Sequence, residues 1–107
     1  CGLETEAVEM NWNGQGYRLR SRLPGDAIKL PGIKGRKKLQ DFFVDQKIPR
    51  DQRRKIPLLA VGSRVVLVIG DEISGESTGF VRSRTEEGFE LTEELVQRLL
   101  VEFDKKA

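Results

Sequence analysis

Alternating apolar positions predict two β-strands near the start of the chain. Between residues 6 and 12 the large apolar side chains of Val8, Met10 and Trp12 occupy every second position, and residues 17–22 alternate again after an Asn-Gly-Gln-Gly turn signal. Because neighbouring side chains of a strand point to opposite faces, this period of two places the apolar residues of each strand together. The sequence therefore predicts two strands, 6–12 and 17–22, joined by a turn.

A helical period follows a glycine-containing loop farther along the chain. Leu39, Phe42, Phe43 and Gln46 fall on one stripe of a helix that begins at Arg36, so we expect the two phenylalanines to pack in the core. The other predicted elements are a turn at 24–26, a short strand at 27–30, a second short helix at 50–55 begun by Pro49, a hairpin of strands 57–61 and 64–69, a polar loop at 70–79, a strand at 80–84, and a last helix capped by Thr92 with a buried stripe of Leu95, Val96, Leu99, Leu100 and Phe103.

Together these elements predict an α+β fold. With 107 residues, the chain has room for one small domain, 1–107, in which a mostly antiparallel sheet packs with two or three helices. No apolar run reaches the length of a membrane-spanning helix, so we expect no contact with a membrane. The chain begins without methionine, which suggests a fragment of a longer protein.

The composition excludes several kinds of catalytic and metal site. The chain has no histidine and one cysteine, so it cannot form a Ser-His-Asp triad, a Cys-His pair, a common zinc site or an internal disulfide. A single thiol is typical of a reducing compartment, and we expect the cytoplasm. The acidic residues that could act as an acid–base pair or hold magnesium are more simply interpreted as solvated; they are Glu86, Glu87, Glu90, Asp71 and Glu72. We therefore expect no catalytic residue, cofactor or metal in this chain.

Positive charge is confined to one third of the chain. The whole sequence carries a net charge of +2, but residues 18–55 hold thirteen bases against four acids, a net charge of +9. The flanking segments 1–17 and 56–107 carry −3 and −4. Such a basic block is typical of a protein that binds a polyanion.

Three groups of cations within this block are candidates for binding phosphate. Alternation over residues 17–22 would place Arg18, Arg20 and Arg22 on one face of a strand, although a solvated sheet face is an equally good interpretation. The other two groups lie on the predicted helices. They are Arg36, Lys37 and Lys38 in the first turn of the first helix, where free backbone N–H groups favour anions, and Arg50, Arg53 and Arg54 on one face of the second.

The residues between Arg22 and Gly70 resemble a known family. The segments that carry the resemblance are Gly25-Asp26, Gly35-Arg-Lys-Lys-Leu39-Gln-Asp-Phe-Phe43, Ile48-Pro49, Arg53, Ile56-Pro57-Leu58 and Val65-Val66-Leu67-Val68-Ile69-Gly70. This succession is similar to the C-terminal substrate domain of bacterial tRNA(Ile)-lysidine synthetase, and it covers about half of the chain closely. The sequence departs from the family pattern at Gln40, where a base is common, and at Arg54, where an acid is common.

The resemblance implies a role in tRNA modification. The parent enzyme uses ATP to attach lysine to the wobble cytidine of isoleucine tRNA with a CAU anticodon, and its N-terminal domain, which binds ATP and magnesium, has no counterpart in this sequence. The C-terminal domain resembles a module of the phenylalanyl-tRNA synthetase β subunit and is expected to grip the body or acceptor stem of the tRNA. The resemblance carries over contacts at Arg22, Lys34, Arg36, Lys37, Lys38 and Arg53, and the shared helix face adds Arg50 and Arg54.

A structural role is the alternative interpretation of the same charges. The basic surface would then dock onto an acidic face of the parent enzyme or of another subunit. Under both interpretations the chain alone is expected to be non-catalytic. The expected partners are isoleucine tRNA and the remaining domains of the parent enzyme.

Overall fold

Seven short strands form one sheet between two helical layers in residues 7–106, the part of the chain that this computed structural model describes, with side chains to residue 105. The strands are β1 (Val8–Trp12), β2 (Gln15–Arg20), β3 (Ala27–Ile28), β4 (Lys37–Lys38), β5 (Leu58–Val61), β6 (Arg64–Val68) and β7 (Arg84–Thr85). The helices are α1 (Leu39–Asp45), α2 (Arg50–Arg53), α3 (Asp71–Ser74) and α4 (Glu93–Lys106). None of these helices is long and apolar enough to cross a membrane.

The sheet is mixed but mostly antiparallel, as predicted. Its strands lie in the order β1-β2-β5-β6-β3-β4, and β7 pairs with β6 beside β3. The parallel pair joins β3 to the start of β6, where Ala27 lies opposite Arg64. β7 pairs with the end of the same strand, where Thr85 lies opposite Leu67. The predicted α+β class is therefore confirmed.

The hairpin of β5 and β6 is the centre of the sheet. The two strands are joined by the predicted two-residue turn, with Val61 opposite Arg64, and a bulge interrupts their register between Leu59 and Ala60. Val65 and Val68 pack into one hydrophobic cluster, and their neighbours Val66 and Leu67 pack into the other. A strand with apolar side chains on both faces must be covered on both sides, which explains the two helical layers.

Helix α1 covers the first face of the sheet. Leu39, Phe42 and Phe43 are buried, and Phe42 meets both Phe43 and Phe80 edge to face, with ring centroids 5.8 and 5.7 Å apart. Gln46 is exposed, so its predicted place on the buried stripe is wrong. The helix ends before it, because Lys47 adopts a left-handed conformation with φ of 59° and turns the chain away.

Helix α4 covers the opposite face. Thr92 accepts the backbone N–H of Leu95 at 3.2 Å, which confirms the predicted cap. Leu95 and Leu99 are buried, but Leu100 is exposed and Glu102 is buried. The predicted stripe is therefore wrong at Leu100. Glu102 tolerates burial because it pairs with Arg98 at 3.1 Å and lies 3.6 Å from Lys105.

The segment after the central hairpin contains more regular structure than predicted. Residues 70–79, expected to be a polar loop, include the single turn of α3, whose Ile73 is buried. The predicted strand 80–84 is wrong except at Arg84, since β7 comprises Arg84 and Thr85. The backbone before β7 bonds instead to the start of α3, where the amide of Asp71 donates to Phe80 O at 2.8 Å. Strand 17–22 likewise ends at Arg20, and the predicted position of Glu6 in the first strand lies outside the described residues.

Gly70, which precedes α3, lies close to the backbone of Val81 and Arg82, and we predict that Gly70→Ala destabilises the fold. An added Cβ would lie 2.6 Å from Val81 O and 2.7 Å from the carbonyl carbon of Arg82, so the backbone must move. We expect a loss of about 1–3 kcal/mol in the free energy of unfolding, measured in urea. Gly16→Ala is the matched control, because a Cβ there meets Asn11 Oδ1 at an ordinary 3.5 Å. Equal stability of the two variants would contradict the prediction.

Candidate nucleic-acid interface

Four arginines meet around one cavity in the layer of α1 and α2. The cavity has a volume of about 340 Å³ and is lined by Arg22, Gln40, Arg50, Arg53 and Arg54. We call it the arginine cavity. Arg22 follows β2, Gln40 lies in the first turn of α1, Arg50 and Arg53 belong to α2, and Arg54 ends that helix. The structure thus brings Arg22 to the cations of α2, which lie about thirty residues later in the sequence.

No acidic residue of the described chain lines this cavity. Arg22 is half-buried and Arg50 is exposed, and neither side chain makes a hydrogen bond or ion pair with the residues that the structure describes. Arg53 donates its Nε to the carbonyl of Ile48 at 2.9 Å, which orients the guanidinium and leaves its terminal nitrogens for a ligand. Arg22 and Arg50 thus line one cavity without a neutralising partner among the described residues. Like charges held close together repel one another, and an anion would relieve that repulsion.

A second cavity continues the basic surface toward β4. It has a volume of about 310 Å³ and is lined by Arg22, Pro24, Gly25, Asp26, Lys38 and Gln40. Arg22 and Gln40 line both cavities, so the two are neighbours. Lys38 is exposed and extends the cationic surface beyond the arginine cavity.

The predicted row of three arginines on one strand face is wrong. Arg22 lies beyond the end of β2, and Arg20 is buried with 6% of its surface exposed. Arg20 forms a bidentate pair with Asp26, with Nη1–Oδ2 and Nη2–Oδ1 distances of 2.7 and 3.0 Å. Arg18 is exposed and lies 3.4 Å from Glu9 on β1. The turn at residues 24–25 brings the Asp26 carboxylate back to the strand, which the alternation pattern could not indicate.

The predicted placement of Arg36, Lys37 and Lys38 in the first turn of a helix is also wrong. Lys37 and Lys38 are extended and pair with β3, and α1 begins only at Leu39. Arg36 donates to the carbonyl of Ala27 at 3.2 Å, and Lys37 forms an ion pair with Asp45. Pairing with β3 holds these residues in a strand, because it gives their backbone hydrogen-bond partners that a helix start lacks. Lys34 is exposed in the preceding loop.

Of the three glutamates that the sequence raised as an acid–base alternative, Glu86 and Glu87 are held in ion pairs and Glu90 is exposed. Glu86 is buried and accepts two hydrogen bonds from Arg64, both 2.8 Å long, and Glu87 lies 3.3 Å from Lys29. The hydrogen bonds from Arg64 lower the pKa of Glu86, the charges of Arg64 and Arg36 lower it further, and burial opposes them. The same partner raises the pKa of the Arg64 guanidinium. Glu86 is thus a stabilised carboxylate.

The two carboxylates considered for magnesium, Asp71 and Glu72, accept hydrogen bonds from the residues that follow α3. Asp71 accepts the hydroxyl of Thr78 at 2.7 Å and the backbone N–H of Gly79 at 3.1 Å. Glu72 accepts the backbone N–H of Ser83 at 2.6 Å. Within the described residues, no three side chains of the types that ligate metals cluster in a way that could hold an ion.

Two features of this surface were missed by sequence reasoning. Gln40 lines both cavities, although the sequence marked it only as a departure from a family pattern. The Arg20–Asp26 pair was not expected. An arginine followed by a Pro-Gly-Asp turn is a signal that could have suggested it, because such a turn reverses the chain within reach of the arginine.

Comparisons with known proteins agree on one family. Residues 17–87, about two thirds of the chain, match the family described as "TilS substrate C-terminal domain". A protein of Symbiobacterium thermophilum named tRNA(Ile)-lysidine synthase is 54% identical over 52 residues, which cover 49% of this chain and 11% of that protein. Proteins of the same name from Caldanaerobacter subterraneus and Geobacter sulfurreducens are 46% and 40% identical over 52% and 63% of this chain, and over 12% and 13% of their own length. The chain thus spans about an eighth of these relatives. No solved structure matches it significantly.

The lowered pKa of Glu86 predicts how stability depends on pH. A carboxylate whose folded pKa lies below its ordinary value of 4.5 stabilises the fold at higher pH, and this stability is lost as the pH falls through the folded value. We expect Glu86→Gln to be less stable than the original chain at pH 7 and to lose less stability between about pH 5 and pH 3, so that the two urea-unfolding curves converge.

Glu87→Gln is the control for this prediction, because Glu87 is a neighbouring glutamate whose side chain is 53% exposed. Because its ion pair with Lys29 is partly exposed, Glu87→Gln should lower the free energy of unfolding by less than about 1 kcal/mol at pH 7. Parallel pH profiles for Glu86→Gln and the original chain would contradict the assignment.

Proposed function

Because the chain belongs to the family of TilS substrate C-terminal domains, we propose that it is the tRNA-binding module of a tRNA(Ile)-lysidine synthase. In this proposal it grips the body or acceptor stem of isoleucine tRNA through phosphate contacts. The observation that carries the proposal is the arginine cavity, which no carboxylate of the described residues lines and in which the side chains of Arg22 and Arg50 have no partner among those residues.

The chemistry of the cavity suits an RNA backbone. Each guanidinium presents a planar set of donors that can hold two oxygens of a phosphate. A-form RNA hides most of its base edges in a deep, narrow groove, so a protein that holds a stem contacts mainly phosphates and 2′-hydroxyl groups. A concave surface lined by guanidinium groups meets this requirement. Binding should therefore depend little on sequence and steeply on salt.

The proposed contacts differ in how available their charges are. Arg22 and Arg50 have no partner among the described residues, and Arg53 keeps its terminal nitrogens, so we assign the strongest contacts to the arginine cavity, which Arg54 completes. Lys38 and Lys34 are exposed and can contact an RNA backbone that extends beyond the arginine cavity. Arg36 and Lys37 already bind Ala27 O and Asp45, so we expect them to contribute less.

We assign the ligase reaction to other domains of the parent protein. The attachment of lysine to the wobble cytidine of a CAU anticodon requires ATP and magnesium, and we propose that both bind outside this chain. Here, the Asp71 and Glu86 carboxylates are already engaged by hydrogen bonds and ion pairs. The module would act by holding the tRNA in the cytoplasm while the reaction proceeds elsewhere in the enzyme.

Removing one guanidinium from the arginine cavity tests the proposal. We predict that Arg50→Gln weakens binding of isoleucine tRNA several-fold at low salt and reduces the slope of log affinity against log salt by about 0.9, the value for one phosphate contact. The matched control is Arg82→Gln, because Arg82 is exposed and outside the cavity. Both variants lose one positive charge, so a general effect of net charge would be equal in the two.

Fluorescence anisotropy of labelled tRNA at several salt concentrations measures both quantities. Equal slopes for Arg50→Gln and Arg82→Gln would contradict a phosphate site at the arginine cavity. If the original chain did not bind tRNA at low salt but did bind the remaining domains of the parent enzyme, docking to an acidic protein face would replace the proposed function.

A further inference from the structure

The ion pair of Arg20 and Asp26 is buried next to the arginine cavity: Asp26 lines the second cavity, which shares Arg22 and Gln40 with the arginine cavity. The side chains of Arg20 and Asp26 are 7% and 2% exposed. Besides the two bonds between them, Arg20 donates from Nη2 to Gly62 O at 2.7 Å and from Nη1 to Ser21 O at 3.1 Å. The Asp26 carboxylate also accepts the backbone N–H of Leu23 at 2.8 Å. The pair is thus well supplied with hydrogen bonds, as a buried pair must be to offset its desolvation.

Stability alone does not explain this pair. Replacing a buried ion pair with apolar side chains of similar volume is often neutral or stabilising. An ion pair with two parallel hydrogen bonds differs from apolar packing in its geometry, because the planar guanidinium fixes both the distance and the orientation of the two segments that carry it.

The pair holds together the two segments that form one side of the cavity. Arg20 and Asp26 close a short loop that carries Arg22, and the amide of Asp26 donates to Leu23 O within it at 3.2 Å. The carbonyl of Asp26 accepts the backbone N–H of Leu39 at 3.0 Å, next to Gln40. Both lining residues on this side, Arg22 and Gln40, are therefore attached to backbone that Asp26 holds.

We propose that the Arg20–Asp26 pair is the positioning device of the binding surface, setting Arg22 at the distance from α2 at which all four guanidinium groups reach the same phosphates. Arg22 has no partner of its own among the described residues, so its place depends on the loop that carries it. Both oxygens of Asp26 are already bound within the protein, so Asp26 acts through Arg22 and not on the RNA. This inference rests on the proposed function.

A double-variant cycle tests the positioning role. Arg22→Ala, Asp26→Asn and the combined variant are compared with the original chain in tRNA binding over a range of salt concentrations. If Asp26 acts by placing Arg22, each single variant weakens binding several-fold and lowers the salt slope by about 0.9. The combined variant then binds no more weakly than Arg22→Ala alone, because the effects of coupled residues do not add.

The controls separate positioning from general loss of stability. Glu86→Gln breaks another bidentate pair of a buried carboxylate and an arginine, away from the cavity, and should leave tRNA affinity unchanged in the folded protein. Arg20→Lys keeps the charge but loses the planar fork, so it provides the same cycle if Asp26→Asn does not fold. The free energy of unfolding of each variant is measured in urea at the temperature of the binding assay, and only variants that are folded at that temperature are compared.

The outcomes distinguish this inference from the proposed function. If Arg22→Ala does not weaken binding, the arginine cavity is not the phosphate site and both fail. If Arg22→Ala weakens binding but the losses of the two single variants multiply in the combined variant, or if neither Asp26→Asn nor Arg20→Lys weakens it, the positioning role is wrong and the proposed function remains.

Discussion

The burial of β6 on both faces is the constraint on which the rest of the structure depends. Val65 and Val68 require cover on one side of the sheet, and Val66 and Leu67 require it on the other. Helices must therefore pack on both sides. Leu39, Phe42 and Phe43 bring α1 to the first face, and Leu95 and Leu99 bring α4 to the second. Burying the apolar side of α1 leaves Gln40 free to line the arginine cavity.

The charges of the molecule are divided in the same way as its helical layers. The cations that line the arginine cavity lie on or beside α1 and α2, whereas α4 begins with Glu93 and Glu94 and buries Glu102. The net charge of +2 is therefore small although one side of the molecule is basic. Many other cations are neutralised locally: Arg20, Arg64 and Arg98 each pair with a carboxylate. By contrast, Arg22, Arg50 and Arg53 form no ion pair with a carboxylate of the described residues, and this supports the assignment of the arginine cavity to an anionic ligand.

The sequence predicts the fold best where one physical signal dominates. The central hairpin, the cap at Thr92 and the buried pair Phe42 and Phe43 follow from a turn, a helix signal and helical spacing. The prediction fails where long-range contacts override local preference. Lys37 and Lys38 form a strand because β3 is available to pair with them. For the binding surface, the residues of α2 follow from helical spacing, but the approach of Arg22 to them depends on the turn that Asp26 closes. That approach cannot be deduced from periodicity.

Nuclear magnetic resonance during a titration with isoleucine tRNA tests the central claim most directly. The Nε–Hε signals of arginines and the backbone amide signals report the contact surface in one experiment. The account predicts that Arg22, Arg50, Arg53 and the amides of α2 shift first, that added salt reverses these shifts, and that the amides of α4 stay unchanged. Shifts centred on α4, or none among the arginines of the cavity, would contradict it.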